Sequence, residues 1–191
     1  MGLLSFIRRG RQSSATASSA STIAFRDFTP ASFDWSGRNH ALQFNVQLAW
    51  VKHKGERASV TLKVIDHGIQ IESVLDGTET EAVLYLGNYF IVPAQLRRCG
   101  LASAVLMACI ETFQIAAFGR ALPAQRLWLE GLFMGDGARF SSAMCDGVQP
   151  TKEAPAAINL RKLASAAGSL SLLSPPVEVQ KRVLPSDTRF G

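Results

Sequence analysis

Apolar and polar residues alternate along the middle of the chain, and this alternation marks its clearest elements. From Leu42 to Trp50 almost every second residue is strongly apolar, which is the period of a strand with one buried face. The same alternation runs from Val60 to Val64, after a turn at His53–Glu56. Turns at Asp66–Gly68 and Asp76–Gly77 bound two further apolar segments, Ile69–Leu75 and Ala82–Val92. The pattern predicts four strands in an antiparallel meander.

The fourth of these strands leads into a long apolar helix. Ala82–Val92 is apolar on both faces, so we expect it inside the sheet, ending before Pro93, which cannot donate to a strand ladder. Gly100–Phe118 is apolar on almost all sides, which is typical of a helix buried against a sheet. Its thin polar stripe consists of Ser103, Glu111 and Gln114. Arg126–Phe133 has the composition of a buried strand, and a strand, helix and strand of this length predict a right-handed parallel βαβ unit.

The flanking segments are less regular. A short strand is expected at Ile23–Arg26, whereas Thr29–Asn39 contains a proline and a glycine among scattered polar residues and is expected to be irregular. Ala138–Cys145 predicts one or two helical turns after a turn at Gly135–Gly137, and Ala156–Ala167 predicts a helix. The last twenty or so residues contain Pro175, Pro176 and Pro185. They are expected to form a loosely attached tail.

Together these elements predict an α/β, or α+β, fold with a mixed, mainly antiparallel sheet and a buried helix after its central strand. A chain of 191 residues, 47% of them hydrophobic, is long enough to bury one sizeable core. We expect a disordered, basic, Ser/Ala-rich leader over residues 1–22 and a core domain over residues 23–150. Residues 151–191 would supply a helix and a proline-containing C-terminal tail.

The net charge of +5 belongs to the ends of the chain. Residues 1–22 carry three arginines and no acid, and residues 151–191 carry six bases and three acids. The core between them has eleven bases and twelve acids. A core that bound nucleic acid would be expected to carry its own basic face, so the sequence argues against nucleic acid as a partner of the core.

The three cysteines, Cys99, Cys109 and Cys145, form no Cys-x-x-Cys pair. Neither a disulfide framework nor a metal site is therefore indicated, and reduced thiols fit a cytoplasmic protein. The longest strictly apolar run, Ala104–Ile110, is far shorter than the ~20 residues that span a bilayer. No transmembrane helix is expected.

The N-terminal leader places its apolar cluster before its basic cluster, which is the reverse of a secretory signal. Three interpretations stay open: a disordered tail, a segment that weakly contacts an anionic membrane surface, and an uncleaved export signal of a bacterial effector. Phe6 stands where a myristoylation motif has Ser or Thr, so lipidation is not indicated.

The turn between the fourth strand and the helix carries the most informative chemistry. Arg97, Arg98 and Cys99 precede Gly100, Leu101 and Ala102, so two cations stand at the positive end of the helix dipole. Such an arrangement costs roughly 0.3–1 kcal/mol per cation unless an anion bridges the arginines to the free N–H groups of the helix. This turn therefore predicts a site for a phosphate-bearing ligand.

The same turn resembles the acyl-CoA-binding motif of the GNAT N-acetyltransferase family, Gln/Arg-x-x-Gly-x-Gly/Ala. The resemblance covers about residues 81–133 and includes the strand before the turn and the helix and strand after it. It implies a GNAT-like core that binds acetyl-CoA and moves an acetyl group to an amine, either a small molecule or a protein. It also implies that Arg97–Ala102 hold the diphosphate and that Phe90, Ile91 and Val92 lie along the pantetheine arm.

Three side chains are candidates for proton transfer in such a reaction. Glu72 and Glu130 lie on predicted strands near the expected splay of the parallel pair, where a carboxylate would take the proton of the amine. The tyrosine that this family uses to protonate the thiolate would fall near Ser142, and the only tyrosines are Tyr85 and Tyr89. Water, Cys145 or Tyr89 would then return the proton.

The missing tyrosine and a second departure from the family keep other functions open. Only a short turn separates Trp50 from Val60, where GNAT folds place two helices that build the acceptor wall. A non-catalytic interaction or effector protein on the same scaffold is the principal alternative. A Cys-dependent hydrolase, with Cys99 as a nucleophile beside His40, His53 or His67, is another. The three tryptophans are expected to be core aromatics.

Overall fold

A computed structural model describes residues 24–179 of the chain, except for the side chains of Ala24, Phe25, Asn88 and Tyr89. The predicted leader over residues 1–22 and residues 180–191 lie outside this range. The described strands are β1 Ala24–Phe28, β2 Ala31–Gly37, β3 His40–Lys54, β4 Arg57–Asp66, β5 Ile69–Gly77, β6 Glu81–Ile91, β7 Arg126–Glu130, β8 Ala156–Ala157, β9 Ser169–Ser174 and β10 Glu178–Val179. The helices are α1 Leu101–Phe118, α2 Gly135–Met144 and α3 Leu160–Ala167, with a short 3-10 turn at Ala94–Leu96.

These elements form an α+β fold around one mixed, mostly antiparallel sheet. The strand order is β10-β1-β3-β4-β5-β6-β7-β8, and β2 and β9 extend from the first half of β3. The predicted meander is confirmed, since β3, β4, β5 and β6 pair antiparallel in chain order. The parallel pair that α1 connects is confirmed as well, because β6 and β7 run in the same direction. β6 therefore lies inside the sheet, as its two apolar faces predict.

α1 is the central helix of the core, as predicted. It packs on β3, β4 and β5 and contacts β2, β9 and α3. Cys109 of α1 lies next to Ser73 of β5 and both are completely buried, which identifies the sheet face that the helix covers. Among the described residues α1 is the one helix long and apolar enough to cross a membrane, and 67% of it is buried inside the fold.

Two of the three residues of the polar stripe of α1 are buried. Ser103 and Gln114 are buried, with 5% and 6% of their surface exposed. Gln114 is accommodated because its side-chain amide accepts from the N–H of Leu122, donates to the Leu122 carbonyl and donates to Gln125. It is therefore a buried polar link that closes the connection between α1 and β7.

The segment predicted to be irregular contains a strand. Within 29–39, β2 pairs antiparallel with β3 along its whole length. Ala31, Phe33 and Trp35 point into the core and are almost completely buried, while the serines and the aspartate between them point outward. Arg38 and Asn39 make the two-residue turn into β3 with φ of 42° and 69°, a conformation that asparagine tolerates well.

The C-terminal segment also differs from its prediction. α3 begins at Leu160 rather than Ala156, because Asn159 caps it by accepting from the N–H of Lys162, and Ala156 and Ala157 form β8 instead. β9 pairs with β2 and β10 pairs with β1, so residues 169–179 belong to the sheet and are not a loose tail. Similarly, β7 ends at Glu130 and not at Phe133.

The tryptophans differ in their surroundings. Trp35 is a core residue as predicted, and its indole N–H donates to the carbonyl of Ala167 at 2.6 Å. Trp128 is half-buried. The prediction is wrong for Trp50, which is 39% exposed on the sheet face away from α1, in a cross-strand row with Thr61, Val74 and Tyr85.

Candidate anion-binding cleft

A cavity lined by described residues opens where the two parallel strands separate. β6 pairs with β7 only from Glu81 to Tyr85, and beyond this point β6 continues to Ile91 while β7 ends. The cavity beside the unpaired part of β6 has a volume of about 1050 Å³. Its lining comes from the second half of β6, the turn before α1, the loop and helix that follow β7, the end of α3 and the turn between β2 and β3.

β6 carries a bulge at this position. Ile71 pairs with Phe90 and Ser73 pairs with Leu86, so residues 87–89 of β6 lie opposite Glu72 alone. A bulge removes backbone groups from the ladder and turns the strand locally. Gly87 fits here because a Cβ at this position would lie 3.1 Å from the Glu72 carbonyl oxygen. The cavity therefore borders a segment of β6 whose backbone N–H and C=O groups are not all paired in the sheet.

One side of the cavity, here called the basic wall, consists of Gly37, Arg38, Arg97, Arg98, Gly100 and Gly168. Close backbone contacts hold it together. A Cβ on Gly100 would lie 2.3 Å from the Ala166 carbonyl oxygen, and a Cβ on Gly37 would lie 2.6 Å from the carbonyl oxygen of Cys99. Gly100 also has φ of 95°. The end of α3 therefore explains why this position is glycine, without any ligand.

The backbone amides of this turn are available to an acceptor. Within residues 24–179, the N–H groups of residues 98–103 make no hydrogen bond to another residue. Gly100 precedes α1 without a side-chain cap, and the first turn of the helix contains no acidic residue. Arg98 and Gly100 both have positive φ, which turns successive N–H groups toward the same side. Free amides and the helix dipole together favour an anion here.

The charged side chains of the cavity are mostly arginines. Arg38, Arg97, Arg98 and Arg139 line it together with one carboxylate, Asp136, which lies 3.9 Å from Arg139. Within the described part of the chain, no carboxylate lies within 4.0 Å of Arg38, Arg97 or Arg98. The Arg97 Nε donates to the Val92 carbonyl at 3.1 Å, which fixes that side chain beside the end of β6. The cavity is strongly cationic.

The other side of the cavity, here called the apolar wall, consists of Leu86, Phe90, Leu132, Phe133, Met134 and Phe140. The rings of Phe90 and Phe140 lie 5.5 Å apart, which links β6 to α2. Leu132 and Met134 belong to the loop after β7 and are 79% and 81% exposed. The cavity therefore combines a cationic side with an apolar side.

The structure brings most of the predicted cofactor residues to this cavity. Phe90, Val92, Arg97, Arg98, Cys99, Gly100 and Ala102 line it. The side chains of Ile91 and Leu101 are not among the lining residues, and their place along the cofactor stays a prediction. Leu101 is completely buried in the core, and Ile91 is 44% exposed at the end of the sheet. Their backbones still belong to the segments that border the cavity.

Neither candidate carboxylate lies in the cavity lining. Glu72 alternates with residues that face α1, so it lies on the opposite sheet face, 3.5 Å from Lys63. Glu130 is half-buried on that same face beside Tyr85. Burial raises the pKa of Tyr85 above its usual value, and the Glu130 carboxylate adds to this effect. Each glutamate is next to the lining, because Glu72 contacts Gly87 and Glu130 precedes Gly131. The side chain of Tyr89 lies outside the described residues.

The surroundings of Cys99 argue against the hydrolase interpretation. Its thiol is buried and donates to the Leu96 carbonyl at 2.7 Å. Within residues 24–179 no histidine hydrogen bonds to it, and His67 instead contacts the Gln43 carbonyl at 2.8 Å. A Cys/His nucleophile pair needs the base within hydrogen-bond reach of the thiol, so the contacts of Cys99 do not support this alternative.

Sequence reasoning missed the parts of the site that come from distant segments. Arg38, Asp136, Arg139 and residues 165–168 join the cavity only through the pairing of β2 with β3 and β9 and the packing of α3 on α1. The one available signal was the alternation from Ala31 to Trp35, followed by a turn containing Asn39. It predicts a hairpin whose tip is Arg38.

Comparisons with family models, with characterised proteins and with solved structures find no significant match to this chain. The resemblance to GNAT acetyltransferases therefore depends on the motif at Arg97–Ala102 and on the local geometry around it.

Proposed function

We propose that the protein is an acyl-CoA-dependent N-acyltransferase, with acetyl-CoA as the simplest donor and an amine as the acceptor. The observation that carries this proposal is the position of the basic wall beside the open edge of β6. Arginines and free amides at the start of α1 would hold the diphosphate of CoA. The unpaired strand next to them would bind the amide groups of the pantetheine arm as an added strand.

The transfer itself conserves all atoms between the two substrates. The amine nitrogen attacks the carbonyl carbon of the thioester, the C–S bond breaks, and an amide forms. The proton lost by the amine ends on the CoA thiolate, so the products are an amide and free CoA. A backbone N–H released from the ladder by the bulge at residues 87–89 would polarise the thioester carbonyl and stabilise the developing oxyanion.

The proton acceptor in this proposal is a carboxylate at the border of the cavity. Glu130 and Glu72 each adjoin a residue that lines the splay between β6 and β7, and either would take the amine proton through one water molecule. Asp136 lies in the cavity itself and would attract a cationic amine. If Glu130 is the base, Glu130→Gln lowers kcat with little change in the affinity for CoA, whereas Asp136→Asn raises the KM for the amine.

Thermal unfolding with CoA is the first test. A ligand at about 100 times its dissociation constant adds ~2.7 kcal/mol to the free energy of unfolding, so the midpoint temperature should rise. The double variant Arg97→Ala/Arg98→Ala should lose this rise. Arg57→Ala/Arg120→Ala is the matched control, because it removes two exposed arginines outside the cavity and should retain the rise. No rise for the wild type at millimolar CoA contradicts the proposal.

A second candidate is a non-catalytic protein that binds an anionic ligand in the same cavity, in line with the interaction or effector alternative. The observation that favours it is the position of both glutamates on the far sheet face, together with Ser142 at the place of the family's tyrosine. Release of free CoA thiol in the presence of amines distinguishes the two functions. Turnover supports the transferase, whereas binding without turnover across a panel of amines supports the second candidate.

A further inference from the structure

The apolar wall is larger than an acetyl group requires. Four of its six side chains, Leu86, Phe90, Phe133 and Phe140, are only partly exposed and pack against the core. The other two, Leu132 and Met134, are 79% and 81% exposed. A contiguous exposed apolar surface inside a cavity is typical of a binding site for an apolar group.

The apolar wall lies next to the place proposed for the thioester. Leu86 and Phe90 flank the bulge of β6, where the thioester carbonyl would lie, and Phe140 of α2 contacts Phe90. Leu132, Phe133 and Met134 immediately follow the end of β7, on the other side of the splay. An acyl chain longer than acetyl would extend from the splay along these side chains.

We infer that the donor carries an acyl chain of medium length, such as octanoyl, rather than acetyl. This inference rests on the proposed function, because it assigns the basic wall to CoA and the apolar wall to its acyl group. The two sides of the cavity match the two ends of such an amphiphile. Arg38, Arg97 and Arg98, which have no carboxylate partner among residues 24–179, face the diphosphate, and aromatic and aliphatic side chains face the chain. The acyl group thereby covers the exposed Leu132 and Met134.

Calorimetric titration with CoA, acetyl-CoA, octanoyl-CoA and octanoate separates what the basic wall and the apolar wall each contribute to the affinity. Each buried methylene contributes about 0.8 kcal/mol, or roughly fourfold in Kd, so burial of three or four of the six extra methylenes makes octanoyl-CoA about 100-fold tighter than acetyl-CoA. CoA alone should bind through the basic wall. Octanoate, which lacks the nucleotide, should bind far more weakly than octanoyl-CoA.

Surface variants test the apolar wall without threatening the core. Leu132→Gln/Met134→Gln changes two highly exposed residues and should weaken octanoyl-CoA about tenfold, with the affinity for CoA unchanged. Ile65→Gln/Val148→Gln is the matched control, because it changes two exposed apolar residues, 63% and 56% exposed, that do not line the cavity. It should bind all ligands like the wild type.

The outcomes distinguish this inference from the proposed function. Equal affinities for CoA, acetyl-CoA and octanoyl-CoA overturn the inference and leave the transferase proposal intact. Absence of CoA binding overturns both. Octanoate that binds as tightly as octanoyl-CoA also overturns the inference, since the cavity would then be a site for a free fatty acid.

Discussion

Replacement of Gly100 by alanine tests whether the turn before α1 is held against α3 as the structure shows. Gly100 and Gly119 stand at the two ends of α1, and both have positive φ, 95° and 74°. Among the described residues an added Cβ meets nothing within 4 Å at Gly119, whereas at Gly100 it lies 2.3 Å from the Ala166 carbonyl oxygen. Substitution of Gly119 by alanine therefore measures the backbone strain alone, whereas the same substitution at Gly100 measures strain and steric overlap together.

The expected magnitudes follow from these two environments. A residue with a Cβ in the left-handed conformation costs about 1–2 kcal/mol, and this is the whole effect expected for Gly119→Ala. At Gly100 the overlap also moves the end of α3, which accepts the buried indole hydrogen bond of Trp35 through Ala167. Overpacking of this kind costs about 1–3 kcal/mol more, so Gly100→Ala should lose about 2–5 kcal/mol in total.

Urea unfolding of both variants and of the wild type measures the difference. We expect a lower midpoint for both variants with an unchanged slope, and a clearly larger loss for Gly100→Ala. Comparisons of this kind are precise to about 0.5 kcal/mol. If the free energies of unfolding lost by Gly100→Ala and by Gly119→Ala agree within that precision, the close contact between the turn and α3 is refuted. The basic wall would then lack the support that the structure assigns to it.

Two further predictions concern titratable groups that are partly or completely buried. Burial raises the pKa of Glu111 above its usual 4.5, so the folded state holds this proton more tightly than the unfolded state and loses stability as pH rises above about 4.5. Glu111→Gln should therefore unfold at a higher temperature than the wild type at pH 7 and at a similar temperature at pH 4. Glu153 is exposed, and an equal rise in the unfolding temperature from Glu153→Gln would contradict burial as the cause. All three cysteines are buried, and burial raises the pKa of Cys109 to about 12 and that of Cys145 to about 11. A thiol reagent at pH 8 should react with them only after denaturant is added, and rapid reaction of the native protein would contradict their burial.

The sequence was sufficient for the elements whose pattern is local. The meander from β3 to β6 follows from strict alternation and polar turns, and α1 follows from an apolar run too long for a strand. The position of β6 inside the sheet follows from its two apolar faces. The motif at Arg97–Ala102 predicts half of the basic wall for the same reason, since its residues are consecutive in the chain.

The remainder depends on pairing between distant segments. β2 and β9 are short strands with prolines and a glycine beside them. Their alternation of apolar and polar residues therefore resembles a loop, and only the pairing of the two strands with each other shows that they belong to the sheet. Gln114 is a polar residue, but it can be buried because its side chain hydrogen bonds to Gln125, eleven residues away. The periodicity of the sequence does not reveal this pairing. Arg38 and Arg139 reach the cavity from different ends of the chain for similar reasons.

In the proposed function, the turn before α1 holds the diphosphate of CoA beside the open edge of β6. Amide chemical-shift mapping by NMR, with CoA titrated into isotope-labelled protein, tests it most directly. The largest shifts are expected at the backbone amides of residues 98–103, with smaller shifts along residues 86–92 of β6. Saturable shifts confined to other parts of the chain, with the amides of residues 98–103 unmoved, would contradict it.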